Sequence, residues 1–408
     1  MNSIKKKNNV NWIYLVIFLD FFAVSLVLPS MSMYLKNLGA SYSMIGAMSS
    51  TYAFTQLISG PIIGSLSDRM GRKNILLISC LIIGCCYSAV GLLSSLFIIL
   101  LLRATIGVFK HTQVLIRAII VDQVAENQQP LIFGRLKSVI GISFSLGPII
   151  GGHLTEIDGG FTYVALTAGI LFGFNTVVVY LFFNETLSDI KKPNVPDEKP
   201  QRLIDGMITA IDDLKSINWL IFGDVFILKF MSSLASVAYY SNYNLRLQAR
   251  FDVSPKVSGY TIAFQSMIGV LTGFLISKIN DKFYTNDVNY KKRNTHSFML
   301  MTLTYSLSYL SPNLMIFLIS GMFFQIAHMI LRVSLTNVVI QRSPVSKQGS
   351  VAGFDQSIIS IARMITPLTV GIIEDMFGSS SGILLSIFTS IIGLFVSLTF
   401  TTSHIKAS

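Results

Sequence analysis

Residues Gly64 to Leu76 read G-S-L-S-D-R-M-G-R-K-N-I-L, and this stretch decides the fold. It is a short turn carrying one acid, Asp68, among the bases Arg69, Arg72 and Lys73, with Gly71 in their midst. Long apolar runs flank it, at about 43–64 and 74–94. A spanning helix needs about 20 apolar residues. A polar turn this short between runs this long therefore implies two membrane helices joined on one face of a bilayer.

Working outward, the whole chain repeats that rhythm. Its 408 residues are 52% hydrophobic and 12% charged, where a soluble domain carries about 25% charged residues. Mean hydropathy is +0.63. Twelve apolar segments are expected, at about 11–34, 43–64, 74–94, 96–121, 132–156, 160–183, 218–244, 256–279, 296–311, 313–340, 350–374 and 381–402. The ninth is short, and the seventh is interrupted by Asp224 and Lys229.

The net charge of +11 is a matter of topology and does not point to nucleic acid. Alternate loops hold nearly all the bases, from Lys5–Lys7 through Arg69, Arg72, Lys73, Arg135 and Lys137 to Lys291–Arg293 and Arg342; the other loops hold only Lys36, Arg246, Arg250 and Lys256. This bias predicts both termini in the cytoplasm. The first apolar run is too long for a signal peptide and reads as a retained helix. The cysteines Cys80, Cys85 and Cys86 all fall in the third segment, so no structural disulfide is expected. A proline- and charge-rich stretch breaks the rhythm, predicting two six-helix bundles, 1–183 and 218–408, joined by a cytoplasmic linker over 184–217. Pro148, Gly152 and Glu156 recur as Pro367, Gly371 and Asp375, a constant offset of roughly 219 residues that fits a duplicated half.

The opening stretch resembles the G-x-L-a-D-r-x-G-r-k-x-x-l motif between the second and third helices of the major facilitator superfamily; Gly64, Leu66, Asp68, Arg69, Gly71, Arg72, Lys73 and Leu76 fit it. The resemblance implies an all-α membrane protein with twelve transmembrane helices in two six-helix bundles. It also implies a conformational latch of Gly64, Asp68, Arg69, Gly71 and Arg72, with Asp122 and Arg135 as partners. In the fifth segment Gly147-Pro148-Ile149-Ile150-Gly151-Gly152 resembles the kinked-helix motif of the antiporter branches, with Ser143 where the longer motif has glycine. Proline removes a backbone hydrogen bond, and small residues admit a neighbouring backbone. Asp20, nine residues before Pro29, resembles the first-helix motif of drug antiporters. The string Phe109-Lys110-His111-Thr112, with Arg117 and Asp122 after it, resembles an orphan eukaryotic branch, the major facilitator superfamily domain-containing protein nine group.

Ionisable residues inside membrane helices are costly and mark function. Asp20, His111 and His328 are the candidate proton carriers. Arg103, Lys110 and Arg117 recur every seven residues and are expected on one helical stripe. His328 and Arg332 lie four apart, on one face. By the resemblance, the first, fourth, seventh and tenth helices line a central cavity, so Arg103, Lys110, Arg117, Asp224, Lys229 and Arg332 are the candidate substrate-binding residues. The antiporter motif points by resemblance to organic cations, whereas the surplus of bases favours an organic anion, with Lys110 expected to contact it.

No phosphate-binding loop or Cys/His metal spacing is present, so no enzyme activity, metal or cofactor is expected. The expected activity is secondary transport of a small organic solute, as proton-coupled antiport by alternating access, in a monomer whose other partners are protons and the bilayer. A uniporter of an organic anion and a non-transporting sensor or scaffold remain open, as do the plasma and endolysosomal membranes.

Overall fold

The computed structural model describes residues 2–186, 219–287, 289–343 and 348–399; the expected linker lies outside them from residue 187 on. Among these residues there is no strand, and there are fourteen α-helices, thirteen of which make up the twelve spans, with the short α9 outside them. They are α1 Asn2–Asn37, α2 Tyr42–Met70, α3 Arg72–Leu92, α4 Leu96–Phe109, α5 Thr112–Gln123, α6 Gln129–Thr155 and α7 Gly160–Phe182, then α8 Trp219–Tyr240, α9 Tyr243–Phe251, α10 Pro255–Phe283, α11 Lys291–Leu310, α12 Leu314–Arg342, α13 Gln348–Phe377 and α14 Gly382–Leu398.

Nine stretches among the described residues are long and apolar enough to cross a membrane, with α4 and α5 counted together. α2 and α11 reach that length with a more polar make-up, and α14 is apolar over a shorter run.

Three expectations about helices are corrected. The fourth segment is not continuous, because Lys110 (φ −78°, ψ 67°) and His111 (φ −120°, ψ 19°) leave helical geometry between α4 and α5. This moves Lys110 off the common stripe with Arg103 and Arg117. The seventh segment ends at Tyr240, and Asn242, at φ 52°, starts the separate helix α9. The ninth helix begins five residues before the expected 296, since its charged first turn, Lys291–Thr295, is helical but not apolar.

Packing groups the chain into two compact units. One comprises Met1–Leu38, Phe54–Thr209 and Ser254–Ala263; the other comprises Gly39–Ala53, Ala210–Val253 and Phe264–Ser408. The first turns of α2 thus belong with the second unit, and those of α10 with the first. In the first unit α1 lies along α6 and α7, and α3 lies along α7 and α4. In the second, α8 lies along α13 and α14, and α11 lies along α14 and α12. These are the same pairings, helix for helix, as the internal repeat requires. The first unit's core is aliphatic, built from Ile13, Ile17, Leu76, Cys80, Ile116 and Val179.

Small residues set the helix spacing. A Cβ on Gly151 would lie 2.8 Å from the Leu26 carbonyl carbon, and one on Gly147 would lie 2.9 Å from Ser25 Cβ. α1 and α6 therefore touch backbone to backbone, the packing open to glycine alone. Ser143, the departure from the antiporter motif, joins the same seam. Its hydroxyl donates to the Phe18 carbonyl at 3.2 Å, and the Ser25 hydroxyl donates to the Ser143 carbonyl at 2.9 Å.

Candidate functional site

The turn that opens the sequence reading is a single residue. α2 ends at Met70, α3 starts at Arg72, and Gly71 between them has φ +99°, a conformation natural only to glycine. Arg72 converges on three groups: Asp68 at 2.5 Å, Asp122 at 3.3 Å and the Ser67 hydroxyl at 2.7 Å. The α3 N-terminus is held from outside the motif, where the Glu185 carboxylate accepts from the N–H groups of Arg72 (2.9 Å) and Lys73 (3.2 Å). A carboxylate here satisfies orphan donors and complements the helix dipole. Of the expected latch residues, Asp68, Arg72 and Asp122 come together; Gly64 has open space around it, and Arg135 is exposed on α6. Glu185 was missed. Its only signal in the sequence is an acid just past the sixth apolar segment.

Asp20, Lys110 and Thr112 form the second constellation. The Asp20 side chain is 0% exposed and carries an ion pair with the Lys110 ammonium. Its other oxygen accepts from the Thr112 hydroxyl at 2.8 Å. Lys110 also lies over the rings of Phe21 (5.2 Å) and Phe172 (5.4 Å). The break between α4 and α5 makes this possible, because a continuous helix would not present Lys110 and Thr112 to one carboxylate. α2 closes the break: Gln56 donates to the freed Lys110 carbonyl at 2.7 Å, and Ser59 bonds His111 Nε2 at 2.8 Å. A buried pair of this kind is fixed by its hydrogen bonds, and removing one partner strands the other charge. Arg103 is half-buried on α4, and Arg117 is exposed on α5, in a cleft with Lys137 and Phe133.

The second unit has its own charges. Lys229, buried at the middle of α8, pairs with Asp355 of α13. Asp224 is not grouped with it; it binds Arg342 of α12 through both oxygens, at 2.6 and 3.1 Å. Arg332 on α12 and Arg363 on α13 are exposed, and His328 stacks on Phe324 at 5.5 Å. Sequence reading missed Asp355, Arg246 and Glu374. Arg246 and Glu374 form a fully buried ion pair at 3.1 Å, with Asn242 donating to the same carboxylate. Acids inside the eleventh apolar segment were the available signal.

Two joints repeat the internal symmetry. In the second unit, Gly46 of α2 faces the Pro367 carbonyl of α13, and Asp375 accepts from the N–H groups of Tyr42 (2.9 Å) and Ser43 (2.8 Å). In the first unit, Gly259 of α10 faces the Pro148 carbonyl of α6, and Glu156 accepts from the Ser254 hydroxyl at 2.7 Å. The repeated Pro, Gly and acid of the sequence are thus the docking points for the N-terminal turns of α2 and α10.

This arrangement has a match among known proteins. The chain belongs to the Major Facilitator Superfamily, whose pattern matches residues 13–367. It is a multi-pass integral membrane transporter of small solutes and not an enzyme. It is 28% identical over 373 residues to the quinolone resistance protein NorA of Staphylococcus aureus (strain MSSA476), with 89% of each chain covered. Its fold matches that of a bacterial homologue of the human lysosomal transporter Spinster, at a TM-score of 0.81, 14% identity and 99% coverage of both chains. It also matches the human organic anion transporter MFSD10 (TETRAN), at a TM-score of 0.67 and 18% identity, over 96% of this chain and 99% of that one.

Proposed function

We propose that the chain is a proton-coupled antiporter of a small organic solute, working by alternating access with both termini in the cytoplasm. The observation that carries this reading is the buried Asp20–Lys110 pair at the break between α4 and α5. Protonating Asp20 discharges the carboxylate and leaves the Lys110 ammonium to seek water or an anion. Deprotonation draws it back. A two-position element of this kind couples a proton to a conformation. The Thr112 hydroxyl and the two ring faces stay in place through the exchange and guide Lys110 home. His111, held by Ser59, and His328, stacked on Phe324, are second candidates for the proton.

The motions follow from the same parts. Arg72, Asp68 and Asp122 latch one face, and the glycine joints at Gly46 and Gly259 dock helix ends at the other; alternating access closes them in turn. NorA is named for quinolone resistance, which supports an organic cargo.

The test uses membrane vesicles with an imposed pH gradient and a pH-sensitive dye. Adding candidate solutes, organic anions and cations side by side, should collapse the gradient for at least one class, and only where the protein is present. Solute flux that proceeds with no effect on the gradient identifies a uniporter and rejects coupling.

A further inference from the structure

We propose that His153 makes one of the two matched joints acid-sensitive: its protonation tightens the docking of α10 on α6 and leaves the docking of α2 on α13 unchanged. The inference concerns a contact at the end of α6, apart from the Asp20–Lys110 pair, and stands without the antiporter reading.

Comparing the two joints isolates the residue. Gly259 and Gly46 face the Pro148 and Pro367 carbonyls, and Gly152 and Gly371 lie against the backbones of Lys256 and Ser43. The residues that follow these glycines differ. After Gly152 and Gly259 come His153 and Tyr260; after Gly371 and Gly46 come Ile372 and Ala47. His153 Nε2 and the Tyr260 hydroxyl are 2.7 Å apart, and the rings meet edge-on at 5.6 Å and 87°. The first joint thus carries a titratable bond between helices where its counterpart has two apolar side chains. His153 lies in the last turn of α6, and both side chains are exposed, so protons reach the bond.

The charges around His153 decide the sign. A neutral ring forms a neutral bond with the phenol. The imidazolium donates from Nε2 to the Tyr260 oxygen, and a charge-assisted bond is about twice as strong. The last turn of a helix favours a cation. Glu156 follows His153 at i+3, with Asp158 just beyond. Lys256, in the first turn of α10, opposes the new charge. Its ammonium lies 3.8 Å from Glu156, and these side chains are 37% and 38% exposed, so solvent screens it. The positive end of α10 is already met by Ser254, which accepts from the Val257 N–H at 3.5 Å and donates to Glu156. The flanking helices change little: α1 brings Tyr34, bonded to the Leu93 carbonyl at 3.1 Å, and the exposed Lys36, and α7 brings the exposed Tyr163. Two acids and a helix C-terminus outweigh the screened lysines. The tightening is therefore present in acid and fades as pH rises through the range, about pH 5 to 8, in which histidine changes charge. In an alternating cycle, acid on the face bearing this joint holds that face closed.

The experiment is hydrogen exchange with mass spectrometry on the full-length protein in lipid nanodiscs at pH 5.5 and 7.5. Rates are corrected for intrinsic exchange, and the readout is protection of the first turn of α10 divided by that of the first turn of α2. In wild type this ratio should rise about threefold to tenfold in acid, the gain of a charged over a neutral hydrogen bond. His153→Gln keeps a hydrogen-bonding tip that does not titrate, so its ratio should be the same at both pH values. Tyr260→Phe keeps the ring and should lose most of the rise. A wild-type ratio that stays level or falls in acid, or a rise that survives in His153→Gln, overturns the proposal. A rise kept in full by Tyr260→Phe overturns the bond as its cause. A joint that responds as described in a protein showing no proton-coupled flux would remove the antiporter reading and leave this inference standing.

Discussion

Substituting Gly46 tests the joint between α2 and α13. An alanine Cβ there would lie 2.8 Å from the Pro367 carbonyl carbon, with the carbonyl oxygen nearer, and 3.1 Å from Leu368 Cα. Carbon atoms prefer about 3.5–4.0 Å, and all three of these neighbours are backbone atoms. The two helices must therefore part by about 1 Å. Overpacking of this sort costs about 1–3 kcal/mol, a shift of about 5- to 150-fold in the population of the docked joint. Separation also pulls the N–H groups of Tyr42 and Ser43 away from Asp375. Hydrogen exchange followed by mass spectrometry reads this directly. Gly46→Ala should speed exchange in the first turn of α2 by a factor in that range and slow turnover, leaving the α3 amides unchanged. Gly353→Ala is the control, on the same partner helix with open space around its Cβ, and should change neither. Protection in Gly46→Ala equal to wild type would refute the close-packing argument.

Other outcomes follow from the same geometry. The Asp68 side chain is 57% exposed, so its pair with Arg72 adds about 0–1 kcal/mol to stability; Asp68→Asn should leave thermal melting and ligand affinity nearly unchanged yet cut flux, and full flux would remove the latch role. Arg246→Met strands Glu374 in a fully buried site and should cost about 3–5 kcal/mol. Arg246→Met combined with Glu374→Gln should melt higher than the single variant, and a double variant no better than the single would show that Arg246 acts through its bonds to the Tyr239 and Ser241 carbonyls.

The fold was legible because its rules act locally. Hydropathy and loop charge located twelve spans, and Gly71 had to be glycine for a reason printed in the turn itself. The repeated Pro148 and Pro367 proved to be docking points of matching joints. What escaped depends on distant partners. No proline announces a helix break near Lys110 or His111, and the one nearby glycine, Gly107, sits inside α4, a turn before the break; the break is held by Asp20, Gln56 and Ser59, from 50 to 90 residues away. Lys110 stood out as a free base in the sequence because its carboxylate lies on another helix. Asp224 and Lys229 looked like neighbours on one helix, yet they bind Arg342 and Asp355 respectively. Pairing across helices follows from packing, which a one-dimensional pattern of charges does not encode.

The most direct measurement is solute transport into proteoliposomes with and without a pH gradient, in wild type and in Asp20→Asn. Asparagine keeps the size of the side chain and can still accept from Thr112 at the 2.8 Å site, but it cannot carry a proton. Wild type should concentrate solute when the gradient is imposed. In Asp20→Asn that concentration should vanish, while exchange of labelled for unlabelled solute at equal concentrations continues, because exchange needs no net proton movement. Gradient-driven accumulation persisting in Asp20→Asn would contradict coupling through Asp20 and leave the Asp20–Lys110 pair a structural brace.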